Sequence, residues 1–174
     1  MNGKIYEREL KLILMGDRSF ITNYIKKLNY DEIEGYISLI ENPFLVVRAA
    51  GSFGIDLIAL RYDYSFPIEV KASVNNILRF TESNSHSQKQ AIEHIKMTTR
   101  SGLFPIYGYR LKRINGDPWR IFTLPNIVTH GNLLKLYTIL PKAEITKDGN
   151  YVLRWENGIK LSHFLKYING IRKD

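Results

Sequence analysis

The sequence contains no cysteine, no fixed-period repeat, no low-complexity block and no apolar run near the length of a membrane span. Without cysteine, disulfides and thiolate metal sites are excluded. Without a long apolar run, a transmembrane helix is not expected, because a helix needs about 20 apolar residues to cross a bilayer. The first residues, MNGKIYEREL, also lack the apolar stretch of a secretory signal. We therefore expect a cytoplasmic protein that does not associate with membranes.

Acidic residues are outnumbered by basic ones, with 17 Asp and Glu against 25 Lys and Arg and a formal charge of +8. The basic residues are scattered along the chain and do not form a tail. An excess of positive charge favours polyanionic partners, most often nucleic acid, although many basic proteins bind no anion. Charge alone therefore leaves a nucleic-acid partner and simple solubility as open alternatives.

The first part of the chain is predicted to be helical. The apolar spacing in KIYERELKLILM is that of one helical face. Residues 17–43 are predicted to be a helical insertion, because SFITNYIKKL and DEIEGYISLI are both amphipathic. Asp31 is a plausible N-cap for the second of these helices. The insertion could cover a functional site, widen a binding footprint or bind a protein partner.

The rest of the chain is predicted to form a sheet with flanking helices. Three strands are expected at residues 44–50, 55–60 and 66–73, followed by a helix in SQKQAIEHIKMTTRSG. Strands in FPIYGYRLKRI and PWRIFTL come next, and residues 144–174 read as a hairpin and a helix. Because βαβ alternation is missing, the predicted fold class is α/β with a mixed β-sheet flanked by helices, in one domain over residues 1–174.

Three charged residues interrupt the predicted second and third strands. Glu69 and Lys71 share one face of their strand, since side chains at i and i+2 point the same way. Asp56 would lie beside Glu69 if the two strands pair as a hairpin. Neighbouring carboxylates repel, and a hard cation such as Mg²⁺ or Mn²⁺ relieves the repulsion. The backbone carbonyl of Val70 could supply a further ligand, and Lys71 could orient a water or hold a phosphate.

A purely structural interpretation is also open. Lys71 could neutralise one acid in a buried salt bridge, but this would leave the other carboxylate unpaired, at a cost in free energy. Asp56 could instead be an exposed residue at the end of its strand. The spacing of the three residues does not by itself distinguish these interpretations from a metal site.

The pattern D-x₁₂-E-x-K on adjacent strands resembles the core of the PD-(D/E)XK nucleases. More narrowly, the chain resembles the archaeal Holliday-junction resolvases. Their catalytic helix is similar to YEREL, their first strand and metal aspartate to FLVVRAAGSFGID, and their Glu-x-Lys strand to IEVKAS. Their following helix resembles QAIEHIKMTTRSG, and their C-terminal helix resembles NGIKLSHFLKYI. The resemblance implies a restriction-endonuclease-like fold.

The resemblance also implies an active site of four residues. It assigns catalysis to Glu7, Asp56, Glu69 and Lys71, with Asp56 and Glu69 as metal ligands and Glu7 reaching the metal through water, beside the Val70 carbonyl named above. Glu9 is a nearby competitor of Glu7, and only the register of the helix separates them.

Further residues are expected to contact DNA. Arg8 and Arg48 are candidates for phosphate contacts, because Arg grips phosphate with two donors, although each could form a surface salt bridge instead. Ser52 could hold a phosphate or cap its turn. Gln90 could orient the water, contact DNA or lie exposed on its helix, and Gln88 is an alternative.

Other residues give no comparable signal. The four histidines lack the spacing of metal ligands and are expected at the surface or in packing. The sequence thus predicts a Mg²⁺-dependent endonuclease that cuts four-way DNA junctions. The resemblance implies a homodimer, since the junction is two-fold symmetric. Alternatives are a nuclease of the same core that acts on other branched or damaged DNA, and a non-catalytic DNA-binding module.

Overall fold

The computed structural model of the chain describes residues 3–49, 54–81 and 87–170. The helices are α1 (Gly3–Leu14), α2 (Arg18–Tyr24), α3 (Tyr30–Glu41), α4 (Ser87–Arg100), α5 (Gly131–Ile139) and α6 (Leu161–Gly170). The strands are β1 (Leu45–Arg48), β2 (Leu57–Leu60), β3 (Ser65–Ser73), β4 (Ile77–Arg79), β5 (Ile106–Leu111), β6 (Trp119–Thr123), β7 (Glu144–Ile145), β8 (Tyr151–Arg154) and β9 (Ile159–Lys160). None of the described helices is both long enough and apolar enough to cross a bilayer.

The main sheet has the strand order β1–β2–β3–β5–β6–β9. Strands β3 and β5 are parallel, and the other neighbouring pairs are antiparallel. The sheet is therefore mixed, as the sequence predicted. The predicted hairpin of the second and third strands is confirmed, with Leu57 opposite Ile68 and Leu60 opposite Ser65.

Helices cover both faces of this sheet. Tyr107 and Gly108 are consecutive residues of β5, so their side-chain positions face opposite sides. His94 of α4 contacts the hydroxyl of Tyr107 at 2.7 Å. A Cβ added to Gly108 would lie 3.2 Å from Leu10 of α1. Helices α1 and α4 thus lie on opposite faces, which confirms a sheet flanked by helices.

The helical insertion is present as α2, a 3₁₀ turn at Ile25–Lys27 and α3. The predicted N-cap of α3 at Asp31 is wrong. The helix is preceded by Asn29, whose backbone amide donates to Glu32 Oε2 at 3.0 Å. Asp31 lies instead in the first turn of α3. There its negative charge favours the positive end of the helix dipole.

The insertion packs against the C-terminal helix. Gly35 of α3 lies so close to α6 that an added Cβ would be 2.1 Å from the backbone oxygen of Ser162. Buried Glu32 accepts hydrogen bonds from the amide of Asp117 at 2.9 Å and from Lys160 Nζ at 2.7 Å. In turn, the Tyr36 hydroxyl donates to Asp117 Oδ1 at 2.9 Å. The insertion is therefore anchored by buried polar groups at the β6 and β9 side of the sheet.

A second sheet, in the order β4–β8–β7, was not predicted as a unit. The hairpin of β7 and β8 was expected, and it pairs Ile145 with Tyr151. Strand β4 has only three residues in a polar stretch, and it pairs Leu78 with Leu153. Such a distant partner leaves no local sequence signal, so β4 was missed. Helix α5 and strand β9 were missed as well, since both are short.

We predict that Gly35→Ala destabilises the protein by about 2 kcal/mol. The new methyl group would collide with backbone atoms of α6, and such overpacking typically costs about 1–3 kcal/mol. Urea unfolding followed by circular dichroism would measure the change. Gly170→Ala is the matched control, because no described residue lies within 4 Å of an added Cβ at this end of α6. Equal stability of the two variants would contradict the close α3–α6 contact.

Candidate active site

Asp56 lies at the point where β2 begins. Its backbone amide donates to the carbonyl of Ile68 at 3.1 Å and so continues the ladder between β2 and β3. Its side-chain Oδ2 accepts a hydrogen bond from the amide of Val70 at 2.8 Å. These two contacts on either side of residue 69 place the Asp56 carboxylate over β3, beside Glu69.

Glu69 is buried, and only one of its carboxylate oxygens has a hydrogen-bond donor in the part of the chain that the structure describes. Lys71 Nζ donates to Glu69 Oε1 at 2.6 Å, as expected for neighbours on one strand face. No donor in the described part of the chain contacts Glu69 Oε2. Burial raises the pKa of Glu69 to about 7, against the opposing charge of Lys71 and with a further increase from the charge of Asp56. The site therefore disfavours the ionised form of Glu69.

The pKa of Asp56 is also raised. Burial is the main cause, the hydrogen bond from the Val70 amide opposes it, and the charge of Glu7 adds to it. The charge of Asp56 raises the pKa of Glu69, and neighbouring carboxylates of this kind compete for whatever positive charge is available. Lys71 contacts only one of them, so a second positive charge, either a shared proton or a cation, would stabilise the pair.

The oxygen atoms available at this site suit a hard divalent cation. Magnesium and manganese prefer carboxylate and carbonyl oxygens, and the buried Oε2 of Glu69 lacks any other partner among the described residues. Asp56 and Glu69 are the carboxylates that could hold the ion. A cluster of three or more His, Cys, Asp or Glu side chains with metal-binding geometry does not occur in residues 3–49, 54–81 and 87–170. Binding of a cation here would therefore depend on the carboxylate pair of Asp56 and Glu69.

The Val70 carbonyl could add a backbone oxygen to this pair. The N–H and C=O groups of one strand residue point to the same side, and the Val70 amide points to Asp56. The pairing of β2 with β3 ends at Leu57 opposite Ile68, so Val70 lies beyond it. Its carbonyl thus faces the same side as the Asp56 carboxylate.

Glu7 and Glu9 of α1 have different surroundings. Glu7 Oε2 accepts from Arg48 Nη2 at 2.7 Å, and its charge acts on Asp56. Glu9 Oε1 accepts from Arg110 Nε at 2.7 Å, and the same oxygen accepts from Tyr24 and Trp119. Glu9 is thus bound to residues of the interior, while Glu7 lies on the side of the carboxylate pair.

Gln90 and Gln88 also differ in their hydrogen-bond partners. Gln90 Nε2 donates to the carbonyl of Gly54 at 2.8 Å, and Lys71 Nζ donates to Gln90 Oε1 at 3.4 Å. Gln88 instead pairs with the backbone of the β7–β8 hairpin, since Tyr151 N donates to its Oε1 at 2.9 Å. Only Gln90 therefore contacts the charged cluster.

The remaining predicted contacts are spread around this cluster. Arg48 is the last residue of β1, where it pairs with Leu57, and its side chain is bound to Glu7 with about half of it exposed. Arg8 is exposed on α1. Ser52 lies outside the described residues. The structure thus brings together Asp56, Glu69, Lys71 and Gln90, with Glu7 and Arg48 beside them, and leaves Arg8 on the outer surface.

His94 is a buried residue whose position near the site was not foreseen. Its Nε2 lies 2.9 Å from the Gly54 carbonyl, which can only accept, so Nε2 carries the hydrogen. Nδ1 of the neutral ring then accepts from the Tyr107 hydroxyl at 2.7 Å. Burial lowers the pKa of His94 to about 4. The neutral ring and Gln90 together hold the turn that leads to Asp56.

The turn at Gly54 requires glycine. Its φ is +67°, and an added Cβ would lie 2.9 Å from Gln90 Nε2 and 3.1 Å from His94 Nε2. Residues 90 and 94 are four apart and lie on neighbouring positions of α4. The signal for His94 in the sequence was its place on the apolar face of an amphipathic helix, where a histidine needs partners.

No protein-family model and no curated protein matches the chain. Among solved structures, the chain is similar to a 1.6 Å structure of Hjc, a Holliday junction resolvase from the archaeal hyperthermophile Archaeoglobus fulgidus. The two chains are 17% identical with a TM-score of 0.48, and the match covers 80% of this chain and 92% of the other. A likeness at this level carries no conclusion about the activity of this chain.

We predict that Glu69→Gln changes how stability depends on pH when divalent ions are removed. The folded state holds the Glu69 proton more tightly than the unfolded state, because folding raises the pKa of Glu69 from 4.5 to about 7. The stability that this proton provides is complete below about pH 4.5 and is lost as the pH rises through about 7. Glutamine does not titrate. The free energy of unfolding of Glu69→Gln, relative to that of the wild type, should therefore rise by about 2–3 kcal/mol between pH 5 and pH 8.

Urea unfolding in EDTA at several pH values would measure this difference. Glu93→Gln, on the exposed face of α4, is the control and should follow the wild type. Parallel stability curves for Glu69→Gln and the wild type would show that Glu69 titrates normally.

Proposed function

We propose that the chain is a metal-dependent endonuclease that hydrolyses phosphodiester bonds in branched DNA, with the four-way junction as its substrate. The observation that carries the proposal is the buried Oε2 of Glu69, which has no hydrogen-bond donor among the described residues although it lies beside Asp56. An uncompensated acidic pair with a lysine at its edge suits the binding of a cation and a phosphate.

A salt bridge alone accounts poorly for this arrangement. Lys71 satisfies one oxygen of Glu69, and the hydrogen bond that Asp56 Oδ2 accepts comes from the Val70 amide and not from Lys71. Breaking or leaving incomplete a buried ion pair is destabilising, so a purely structural site would favour an apolar replacement. Retaining two acids is costly for folding, and the cost is explained if the acids bind a ligand.

Mg²⁺ is the expected ion, with Mn²⁺ as a substitute. The Asp56 and Glu69 carboxylates and the Val70 carbonyl would hold it, with Glu7 on the neighbouring helix completing the negative site. When bound, the ion supplies stabilisation of the negative charge that develops on the phosphate during hydrolysis. A divalent charge is also the counter-charge that the acidic pair lacks.

The surrounding side chains would orient the reactants. The Lys71 ammonium, held between Glu69 Oε1 and Gln90 Oε1, would contact a phosphate oxygen or orient the attacking water. Arg48 and Arg8 would bind phosphates of the substrate, since a guanidinium offers paired donors to an anion. His94 and Gln90 would keep the turn before Asp56 in place.

The sequence motifs support the proposed substrate and oligomeric state. YEREL, GSFGID and IEVKAS resemble the corresponding segments of the archaeal resolvases, and a four-way junction has two-fold symmetry. Paired cuts in such a junction require two active sites, and a symmetric homodimer supplies them. The rival functions are cleavage of forks, flaps or damaged duplex, and binding without cleavage.

We predict that Asp56→Asn abolishes Mg²⁺-dependent cleavage but preserves DNA binding. The variant weakens the cation site, and loss of several kcal/mol of charge stabilisation lowers the rate by at least about 10³-fold. Removing a negative charge near phosphate would also leave the affinity equal or higher. Cleavage of labelled four-way junction, fork, flap and linear duplex, with binding measured on the same DNAs, tests this expectation.

Asp148→Asn, in the exposed β7–β8 turn, is the matched control and should cut like the wild type. Equal cutting by Asp56→Asn and the wild type would remove Asp56 from the mechanism. Salt-sensitive binding without any cutting by the wild type would support the non-catalytic rival. Faster cleavage of forks or flaps than of the four-way junction would show that the junction is not the preferred substrate.

We predict that Mg²⁺ raises the Tm of the wild type at about pH 8 but not at about pH 5. A ligand that binds only the folded state stabilises it, and this ligand needs ionised Glu69. With a pKa of about 7 in the absence of ion, Glu69 is protonated at the lower pH. Differential scanning fluorimetry with and without MgCl₂ measures the shift. Asp56→Asn should lack it, and a shift of equal size at both pH values would place the ion elsewhere.

A further inference from the structure

The outer side of α1 carries three cations in a row, here called the basic ridge: Lys4 and Arg8, which are exposed, and Lys11, which is half-buried. Their spacing of four and three residues places them along one side of the helix. The opposite side buries Leu10 and Ile13 in the core. At about 1.5 Å of rise per residue, the ridge extends over roughly 10 Å.

The charges of the basic ridge are not neutralised within the described part of the molecule. Its three residues form no ion pair among residues 3–49, 54–81 and 87–170. The acids of the same helix are directed elsewhere. Glu7 pairs with Arg48, and Glu9 pairs with Arg110. Each of these glutamates thus pairs with an arginine of a neighbouring strand and not with a cation of the basic ridge.

This arrangement is unfavourable for the helix itself. Like charges at i,i+3 and i,i+4 each destabilise a helix by a small amount, and Lys4 in the first turn opposes the helix dipole. The first turn of α1 contains no acid to balance it. By contrast, the exposed face of α4 pairs Lys96 with Glu93 at 3.0 Å. A face that served solubility alone would be expected to mix charges in this way.

A further cation without an ion pair among the described residues lies just after β5, near the start of α1. The Tyr6 ring lies 4.5 Å from the Arg110 guanidinium and 5.4 Å from Lys112 Nζ. Glu9 neutralises Arg110 at 2.7 Å, whereas Lys112 has no ion pair among the described residues.

We propose that the basic ridge and Lys112 bind the phosphodiester backbone of a nucleic acid that lies across α1. The proposal rests on the nuclease function proposed above and assigns the route of the substrate beside the acidic pair. A polyanion would relieve the repulsion among the three ridge cations and neutralise Lys112. Contacts of this kind fix the register of the nucleic acid without reading its sequence.

The salt dependence of binding tests the proposal. The triple variant Lys4→Gln, Lys11→Gln, Lys112→Gln would be made in the Asp56→Asn background and studied in EDTA, so that no cutting occurs. Fluorescence anisotropy with a labelled four-way junction would give Kd at several KCl concentrations. Each lost phosphate contact lowers the slope of log Kd against log salt by about 0.9, so we expect a decrease of about 2–3.

The control is a second triple variant in the same background, Lys27→Gln, Lys135→Gln, Lys147→Gln, which removes the same charge from exposed positions elsewhere. It should keep the slope of the parent. The ridge variant should fold with an equal or higher Tm, since like-charge repulsion has been removed. An unchanged slope for the ridge variant, or equal decreases for both variants, would overturn the proposal.

The outcome is separable from that of the nuclease proposal. Failure of the wild type to cut any DNA with Mg²⁺ would end the nuclease proposal, whereas the salt slope is measured without metal and without cutting. A cutting enzyme whose ridge variant keeps its slope would retain the nuclease proposal and lose this one.

Discussion

The repulsion between Asp56 and Glu69 is the constraint on which the candidate active site depends. The start of β2 brings Asp56 against β3, and burial, nearly complete for Glu69 and partial for Asp56, limits the screening of the two carboxylates by water. Lys71 offsets only part of the resulting charge. The pair therefore requires a further positive charge, from a proton at low pH or a cation at high pH, and this requirement links folding, pH and the proposed chemistry.

The elements around the pair are fixed by buried polar groups that have several partners each. Glu9 ties α1 to β5 and β6, and His94 ties α4 to the turn at Gly54. Glu32 ties the insertion to Asp117 and Lys160. Because each group accepts or donates more than once, its burial is compensated. Glu69 differs from these groups, since one of its oxygens is left unpaired among the described residues.

Much of the fold follows from local patterns. Period-3.6 and period-2 hydrophobic spacing predicted α1, the insertion helices, α4, α6 and the strands that form most of the main sheet. The strand β4 and the second sheet were missed because three residues pair with a segment more than 70 positions away. The capping residue of α3 was misassigned because Glu32 reaches back to Asn29, a contact that competes with capping by Asp31.

The sequence by itself determined that Glu69 and Lys71 share a strand face and that Asp56 starts a neighbouring strand, since these depend on a fixed two-residue period. Tertiary structure decided which similar residue of each helix reaches the cluster, namely Glu7 in place of Glu9 and Gln90 in place of Gln88. It also decided the partners of His94. Such choices depend on the rotation of a helix against the sheet, which is set by packing among residues far apart in the chain.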